Sequence, residues 1–246
     1  MAIVDIPEIL EPFEDIIAET LIQVHRNVRS VLAKASERHG QYRVRDLRLL
    51  KGDEDTEVLH KEAGYWLRLD PRRVYFSPRE STERARIASM VSVGEQVLVM
   101  FGGICPFSLA IAKAQRSAHV TSVELSPEAH SYCIQNVMMN KVADRITPIP
   151  GDVRKICPEI GPFDRTLMPM PKGASEFLDV AIPTVKAHGV LHLYHWSTQG
   201  NLFSEAEAMI ETAAEELNRK ALVKGKAKVL PYGPRTWKIR VDAEIV

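Results

Sequence analysis

Residues 95–126 read EQVLVMFGGICPFSLAIAKAQRSAHVTSVELS, and this stretch decides the fold. The run EQVLVMF has strand character and leads into a pair of glycines, and the segment PFSLAIAKAQ that follows is typical of a helix. A second strand-like run, HVTSVEL, contains an acid near its end. A strand, a tight turn, a helix and a second strand in this order predict the start of a parallel sheet with helices packed on its faces.

Strands and helices continue to alternate to the end of the chain. Strand-like runs RITPIPGD, DRTLMPM and GVLHLYHW are interspersed with the helical segments SPEAHSYCIQNVMMNK, ASEFLDVAIPTV and SEAEAMIETAAEELNRK. Two further strands, AKVLPYG and TWKIRVDAEIV, close the chain and predict an antiparallel pair at one edge. We therefore predict an α/β fold with a mostly parallel, doubly wound sheet.

Residues 1–78 have a different pattern. Apolar residues recur at helical spacing from Phe13 to Val31, and Gly40 follows, which predicts one long amphipathic helix. Four short strand-like runs come next, namely YRVRDLRLL, TEVLHKE, YWLRLD and RRVYFS. We predict a small α+β domain over residues 1–78 and the α/β domain over residues 79–246. The latter starts with a helix, STERARIASMV, for which Ser81 or Thr82 is a suitable N-cap.

The composition excludes several classes of protein. No apolar run approaches the roughly 20 residues of a membrane span. The acidic N-terminus lacks the basic and apolar order of a signal peptide. Cys105, Cys133 and Cys157 have no metal-ligand spacing and suit small apolar packing positions in a reducing cytosol. We expect a cytoplasmic globular protein without a bound metal.

The formal net charge is zero, but the charges are unevenly distributed. Residues 1–25 hold six acids and no Lys or Arg, whereas residues 26–51 hold eight basic residues against two acids. Residues 219–240 hold eight more basic residues and no acid. Two basic blocks are typical of a surface that binds a polyanion. The alternative is a solvated surface whose cations are balanced in space by the acidic N-terminus.

Aromatic and histidine residues near the C-terminus have two interpretations. Tyr232 and Trp237 lie in the second basic block, where they could stack on nucleic-acid bases, or the block could be a charged edge strand that discourages aggregation. His192, Tyr194 and Trp196 share one face of the strand GVLHLYHW. No further metal ligands are evident near them, so we expect packing rather than metal binding.

The turn Phe101-Gly102-Gly103 follows the first strand of the α/β domain, where doubly wound sheets bind ligands. Paired glycines let the backbone approach a ligand closely. Glu124 lies at the end of the next strand, 21 residues after Gly103, where a carboxylate can accept hydrogen bonds from both ribose hydroxyls of a nucleoside. Asp152 closes the third strand. Because no G-x-G-x-x-G or P-loop sequence is present, the pattern favours S-adenosylmethionine over NAD.

Five longer stretches resemble one enzyme family. YRVRDLRLLKG, RVYFSPRESTERARIA, FGGICPFSLAIAK, NKVADRITPIPGDVR and FDRTLMPMPKGASEF are similar, in the same order, to segments of the archaeal and eukaryotic tRNA (guanine37-N1)-methyltransferases. A close relative of that family is the wybutosine enzyme that moves the aminocarboxypropyl group of the same cofactor onto tRNA. The resemblance implies a class I methyltransferase (Rossmann-like) sheet, S-adenosyl-L-methionine as cofactor, the tRNA anticodon stem-loop as partner, and a monomer. It also implies that the chain starts after the place of a further N-terminal domain, as a shortened piece or a naturally short member.

The resemblance assigns roles to individual residues. Glu83 matches a general base that takes the N1 proton of guanine, and Arg43 matches an arginine that stabilises charge on O6. Implied cofactor contacts are Arg79, Phe101, Gly102, Gly103, Glu124, Asp152 and Pro169. Implied substrate contacts are Arg45, Tyr75, Pro171 and Lys172. The chemistry agrees, because guanine N1 is protonated at neutral pH and its methylation needs a base and a nearby cation. Judged from the residues alone, Glu83 could instead be an exposed helix residue paired with Arg79 or Arg86.

Three positions depart from the family pattern. Val99 stands where the family commonly has an acid, so one polar contact to the cofactor is expected to be lost. The usual A-G-x-G turn is here Gly102-Gly103-Ile104-Cys105. The family's N-L-P loop is here Pro169-Met170-Pro171, and Pro169 offers only its carbonyl and a fixed φ in place of an Asn side chain.

Two alternatives stay open at this level. The first is the aminocarboxypropyltransferase, which the absent N-terminal domain, the lost Asn and the ribose-type acid favour, whereas the segments CPFS and PKGASEF favour the methyltransferase. The second is a non-catalytic RNA-binding relative whose cofactor site has decayed, and it is motivated by Val99 and Pro169.

Overall fold

A computed structural model describes residues 1–246, apart from the side chain of Gln199. The N-terminal unit is a three-stranded sheet with one helix. Its strands are β1 (Ala2–Val4), β2 (Ser30–Lys34) and β3 (Leu47–Gly52), in the order β1-β2-β3, and its helix is α1 (Glu14–Val24). β1 and β2 are parallel, and β2 and β3 are antiparallel.

The long helix predicted between Phe13 and Gly40 is wrong in its second half. The helix ends at Val24, and residues 30–34 form the buried strand β2. The apolar residues Val31, Leu32 and Ala33 are consecutive, and a short apolar run suits a buried strand as well as a helix turn. Within α1, Ile16 and Val24 are largely exposed, so the apolar stripe is only partly covered.

A β-hairpin follows, made of β4 (Val58–Glu62) and β5 (Tyr65–Leu69). Its two-residue loop, Ala63-Gly64, has positive φ at both positions, as a type I′ turn requires. Two further predictions about this region are wrong. Residues 72–77 (RRVYFS) form no strand, and neither Ser81 nor Thr82 caps the next helix, because its N-cap is Glu80 without a side-chain hydrogen bond.

The predicted doubly wound α/β sheet is confirmed. It has seven strands in the order β11-β12-β10-β9-β6-β7-β8. The five strands from β8 to β10 are parallel, and β12 is antiparallel to both β10 and β11. The strands are β6 (Gln96–Met100), β7 (His119–Glu124), β8 (Ile146–Pro150), β9 (Phe163–Met168), β10 (Val185–Thr198), β11 (Ala221–Gly233) and β12 (Thr236–Ile245).

Helices cover both faces of this sheet. They are α2 (Ser81–Met90), α3 (Pro106–Ala114), α4 (Pro127–Met139), α5 (Val153–Ile156), α6 (Leu178–Ala181) and α7 (Ser204–Glu216). Two hydrophobic cores result, because successive side chains of a strand point to opposite faces. In β6, Val97 and Val99 join the core that contains α3 and α4, and Leu98 and Met100 join the core that contains α7.

The hairpin packs on the α/β unit. Asn136 in α4 and Asn140, the C-cap of that helix, bind the backbone of β5 as a neighbouring strand would. Asn140 Oδ1 accepts from the Trp66 N–H at 2.9 Å, and Asn136 Oδ1 accepts from the Arg68 N–H at 2.7 Å. Tyr65, Leu67 and Leu69 belong to the core of α3 and α4. We propose that the domain boundary lies before β4 rather than at residue 78.

The order of the strands positions the site. The chain runs from β6 outwards to β7 and β8, then returns to β9 on the other side of β6. Connections leave the sheet in opposite directions at β6 and β9, and ligands bind at the carboxyl ends of the strands at such a switch point. Phe101 follows β6, Glu124 ends β7, Asp152 follows β8 and Pro169 follows β9, so these four predicted positions share one edge.

Candidate active site

The turn after β6 is shaped around two glycines. Gly103 has a φ of +56°, and a side chain there would meet no atom within 4 Å, so the turn is open on that side. A Cβ on Gly102 would lie 2.1 Å from the Ser122 Oγ, which therefore occupies the space an alanine would need. Phe101 and Cys105 also have positive φ, an uncommon conformation for residues with a side chain.

Glu124 is bound to this turn. Its Oε2 accepts from the Gly103 N–H and its Oε1 accepts from the Ser126 N–H, both at 2.7 Å. Burial raises the pKa of the Glu124 carboxyl, although these backbone N–H groups oppose the shift. An ionised carboxylate has about four acceptor positions, so two remain for ligand hydroxyls.

An aromatic pair stands beside the turn. The ring of Phe101 meets the ring of Phe177 edge-on, with centroids 5.1 Å apart, and the Arg154 guanidinium lies 4.6 Å from the Phe177 centroid. Asp152 is the N-cap of α5 and accepts from the Arg154 N–H at 2.9 Å. The contact between Arg154 and Phe177 thus connects the segment after β8 with the segment after β9, beside the turn after β6.

Glu83 lies in α2 and is 2% exposed, so the alternative of an exposed helix residue is wrong, although the pairing with Arg86 that it included is present. The Tyr194 hydroxyl donates to its Oε1 at 2.8 Å, and Arg240 Nη1 donates to the same oxygen. Arg86 Nη1 donates to Oε2 at 2.9 Å. These three donors replace the hydration that the Glu83 carboxyl group loses on burial.

Arg43 lines a hollow of about 420 Å³ between the β2–β3 loop and the loop after β9. Arg38, Met170, Lys172 and Phe177 also line it. Burial lowers the pKa of the Arg43 guanidinium. The hollow is rich in cations, and it reaches Phe177, which contacts the turn after β6 through Phe101.

Tyr75 belongs to the same neighbourhood. The Arg38 guanidinium lies 4.1 Å from the centroid of its ring, and its hydroxyl donates to Glu80 Oε1 at 3.2 Å. Burial raises the pKa of Tyr75 to about 12. An aromatic ring and guanidinium groups at one opening can stack on a base and contact phosphate.

Pro169 is linked to Glu83 indirectly, through the buried Lys238 and then Tyr194. Lys238 Nζ donates to the Pro169 carbonyl at 3.2 Å and pairs with Glu80 Oε2 at 2.8 Å. The same ammonium lies 4.8 Å from the ring centroid of Tyr194, whose hydroxyl binds Glu83. Burial lowers the pKa of Lys238, and the Glu80 carboxylate opposes that shift. The proline therefore still contributes an acceptor, through its backbone carbonyl.

The remaining predicted residues are placed as follows. Lys172 is exposed and lines the hollow, and Pro171 is half-buried in the same loop. Arg79 is exposed and donates to the Pro231 carbonyl at 3.1 Å. Arg45 pairs with Glu37 at 3.3 Å. Val99, where an acid was expected, is a core residue.

Arg38, Tyr194, Lys238 and Arg240 are site residues that the sequence did not reveal in these roles. The second basic block signalled Lys238 and Arg240, but only as surface cations. In the folded chain both are buried and paired with carboxylates. Tyr194 was expected to pack, which it does, since it is fully buried with its ring near Phe107.

The acidic N-terminus balances part of the first basic block. Lys34 pairs with Asp5, Arg48 with Glu14 and Lys51 with Glu19. Among the described side chains of the second block, Lys224 and Lys226 pair with Glu244 and Glu207. The cations that line the hollow, Arg38, Arg43 and Lys172, are thus different residues from those paired with nearby carboxylates.

Two of the three cysteines are not simple packing residues, contrary to expectation. Cys105, at the end of the turn after β6, forms a disulfide with Cys133 in α4. Cys157 is free and buried, and burial raises the pKa of its thiol to about 11.

Within the described residues, no group of three or more His, Cys, Asp or Glu could hold a metal ion. His192 instead bonds Asp242, and Trp196 lies against Tyr232 with ring centroids 4.1 Å apart. In the same part of the chain, no helix has the length and apolarity that crossing a membrane requires.

Comparison with known proteins gives a consistent result. The sequence model of the TRM5/TYW2 methyltransferase domain matches residues 58–223, and that of the TYW2 N-terminal domain matches residues 1–56. The chain is 38% identical over 245 residues to the tRNA (guanine(37)-N(1))-methyltransferase Trm5b of Pyrococcus abyssi, covering 100% of this chain and 72% of that protein. A structure of aTrm5 in complex with tRNALeu matches with a TM-score of 0.88 and 33% identity, covering 98% of this chain and 68% of that one. Pyrococcus horikoshii TYW2 in complex with MeSAdo matches with a TM-score of 0.86 and 28% identity, covering 99% of this chain and 87% of that one.

Proposed function

The chain belongs to the TRM5/TYW2 methyltransferase family, and on this premise we propose that it methylates N1 of guanine 37 in tRNA with S-adenosylmethionine as donor. Its identity to the guanine-N1 methyltransferase is higher than its identity to TYW2. The observation that carries the proposal is structural. The buried Glu83 is linked through Tyr194 and Lys238 to the loop after β9, and the same loop lines the cationic hollow of Arg43.

The residues at the sheet edge fit this cofactor. Glu124 keeps two acceptor positions for the ribose hydroxyls, Gly103 leaves its side of the turn open, and Phe101 with Phe177 offers an apolar wall for adenine. When bound, the cofactor supplies an electrophilic methyl group on a sulfonium. We propose that Asp152 and Pro169 complete the cofactor site, and that Arg79 contacts it after leaving its present partner.

We propose that Glu83 accepts the N1 proton and that Arg43 stabilises the negative charge that develops on O6. Proton removal and charge stabilisation are the two contributions that a neutral guanine needs before N1 becomes a nucleophile. Because Glu83 is buried, the target nucleotide has to be extruded from its base stack so that guanine N1 can reach the Glu83 carboxylate. Tyr75 is placed to stack on it, and Arg45, Pro171 and Lys172 are placed to contact the flanking nucleotides.

The test is methyl transfer from labelled cofactor to tRNA transcripts that carry guanine or adenine at position 37. We expect labelling of the guanine transcript alone, and loss of about 100-fold or more in rate for Glu83→Gln, which keeps the shape but not the basicity. Equal labelling of both transcripts, or of neither, contradicts the proposal. Calorimetry that shows tRNA binding but no cofactor binding would instead support a non-catalytic RNA-binding protein.

A second candidate function is aminocarboxypropyl transfer, which the match of residues 1–56 to the TYW2 N-terminal domain favours. The two reactions attach different groups to the nucleoside, so mass spectrometry of digested tRNA distinguishes them. We further propose that the protein acts as a monomer in the cytoplasm. Sedimentation analysis with and without tRNA tests the monomer.

A further inference from the structure

The two oxygens of Glu83 have unequal partners. Oε1 accepts two hydrogen bonds, from the Tyr194 hydroxyl at 2.8 Å and from Arg240 Nη1. Oε2 accepts one, from Arg86 Nη1 at 2.9 Å. The partners of Oε1 come from β10 and β12 of the central sheet, whereas the partner of Oε2 comes from the same helix as Glu83.

The guanidinium of Arg240 is fixed by Asp242 on the side away from Glu83. Its Nε and Nη2 donate to the two carboxylate oxygens of Asp242 at 2.7 and 3.0 Å, a bidentate geometry that fixes the plane of the guanidinium. Asp242 is buried, and it also lies 2.5 Å from His192 Nδ1. With its third nitrogen, Nη1, the same guanidinium reaches Glu83.

The hydrogen bonds behind Arg240 have a defined direction. Arg165 Nη1 lies 2.6 Å from His192 Nε2, and a guanidinium can only donate. His192 Nε2 is therefore the acceptor, and Nδ1 carries the hydrogen that is donated to Asp242. Burial lowers the pKa of His192, which agrees with a neutral ring. Arg165 pairs in turn with Glu95 at 2.8 Å, so the series of contacts ends at the residue that precedes β6.

Arg86 is held much less firmly. Its side chain is 39% exposed, and its contact with Glu83 is an i,i+3 pair on one helix. Such partly exposed pairs contribute little and exchange readily with water. When the guanine enters, Oε2 can therefore release Arg86, whereas Oε1 keeps Tyr194 and Arg240.

We propose that Arg240 is a positioning residue, which fixes Oε1 so that Oε2 of Glu83 is the atom that takes the guanine N1 proton once Arg86 has turned away. This rests on the function proposed above. In that step the N1–H bond breaks and an Oε2–H bond forms, while N1 bonds to the methyl carbon and the sulfonium S–C bond breaks. The carboxylate and the sulfonium both become neutral, so charge balances.

Four polar side chains face Glu83 from the elements packed around it. These are Arg86 from α2, Tyr194 from β10, and Lys238 and Arg240 from β12.

The main experiment replaces Arg240 by Lys in the full chain and follows single-turnover methylation of a guanine-37 tRNA transcript. Lysine keeps the charge but cannot bind Asp242 in a bidentate manner and reach Glu83 together. We expect the plateau rate to fall about 10- to 100-fold, with the Kd for S-adenosylmethionine within about twofold of wild type. The matched control is Arg165→Lys, the same substitution three contacts further along the series Arg240–Asp242–His192–Arg165. We expect it to lower the thermal midpoint without lowering the plateau rate.

Two outcomes would overturn the proposal: a wild-type plateau rate in Arg240→Lys, or equal losses in Arg240→Lys and Arg165→Lys. If Arg240→Lys does not fold, Tyr194→Phe serves instead, because it deletes only a hydroxyl that donates to Oε1. We expect a loss of about tenfold there, and no loss overturns the proposal. The Glu83→Gln and wild-type assays distinguish the two failures. If wild type methylates guanine 37 and Glu83→Gln does not, the proposed function stands even when the role of Arg240 fails.

Discussion

The disulfide between Cys105 and Cys133 predicts a large difference between oxidised and reduced protein. It closes a loop with a sequence separation of 28 residues. The chain-entropy model gives a loss of about 12 cal/mol/K for the unfolded state, or about 3.6 kcal/mol at 25 °C. Unfolding a chain of 246 residues carries an entropy of about 520 cal/mol/K. The expected fall in thermal midpoint on reduction is therefore about 7 °C.

Scanning calorimetry with and without a phosphine reductant measures this shift. Cys133→Ser should show the lower midpoint in both conditions. The control is Cys157→Ser, which removes the free buried thiol and should keep the full dependence on reductant. Because Cys105 ends the turn after β6, we also expect reduction to weaken cofactor binding.

Counting thiols tests the same reasoning independently. Denatured, unreduced protein should alkylate at Cys157 alone, and reduced protein at all three cysteines. Alkylation at three sites without reduction would refute the reasoning, as would a wild-type midpoint that does not respond to reductant. A shift of equal size in Cys133→Ser would show that the reductant acts elsewhere.

Three further predictions concern the turn, the hairpin and the buried histidine. Gly102→Ala should destabilise the protein by about 2 kcal/mol and weaken cofactor binding, because its Cβ would meet the Ser122 Oγ at 2.1 Å. Adding Ser122→Ala should restore stability, measured by chemical denaturation, and cofactor binding, measured by calorimetry. A failed rescue would contradict the packing argument. Asn136→Ala deletes three hydrogen bonds to the backbone of β5 and the turn after β6, so the free energy of unfolding should fall by about 3 kcal/mol; an unchanged value would show that the hairpin is not held there. The folded pKa of His192 is lowered by burial, so below pH about 6.5 the unfolded chain takes up a proton that the folded chain does not. Stability should then fall by about 1.4 kcal/mol per pH unit towards the folded pKa, a slope that His192→Asn should lack in denaturation measured from pH 7 to 5.

The central fold follows from local pattern. In residues 95–126 a strand, a glycine turn, a helix and a second strand are each short enough to be specified by neighbouring residues, and all four occur as predicted. The front of the chain was harder, because Val31, Leu32 and Ala33 are equally compatible with a helix and with a buried strand. Pairing with β1 and β3 decides between them, and that pairing is not local.

The candidate site shows the same division. The family resemblance indicated Glu83, Arg43 and the positions at the strand ends. The spacing of the glycine turn and Glu124 was by itself enough to predict a cofactor site. The partners of Glu83 were not, since Tyr194 and Arg240 lie 111 and 157 residues away along the chain. The pairing of β10 with β12 and the packing of α2 against them bring these residues to Glu83.

The sequence by itself determined that the chain alternates strand and helix, turns sharply at Gly102-Gly103 and places an acid at the end of the next strand. These are properties of short segments, whose hydrogen bonds and side-chain periodicity are satisfied locally. Only the tertiary structure decided that β12 lies between β10 and β11, with Lys238 and Arg240 buried behind the loop after β9. The physical reason is that a buried charge needs a partner of opposite sign, and which carboxylate meets which cation depends on how distant strands pack.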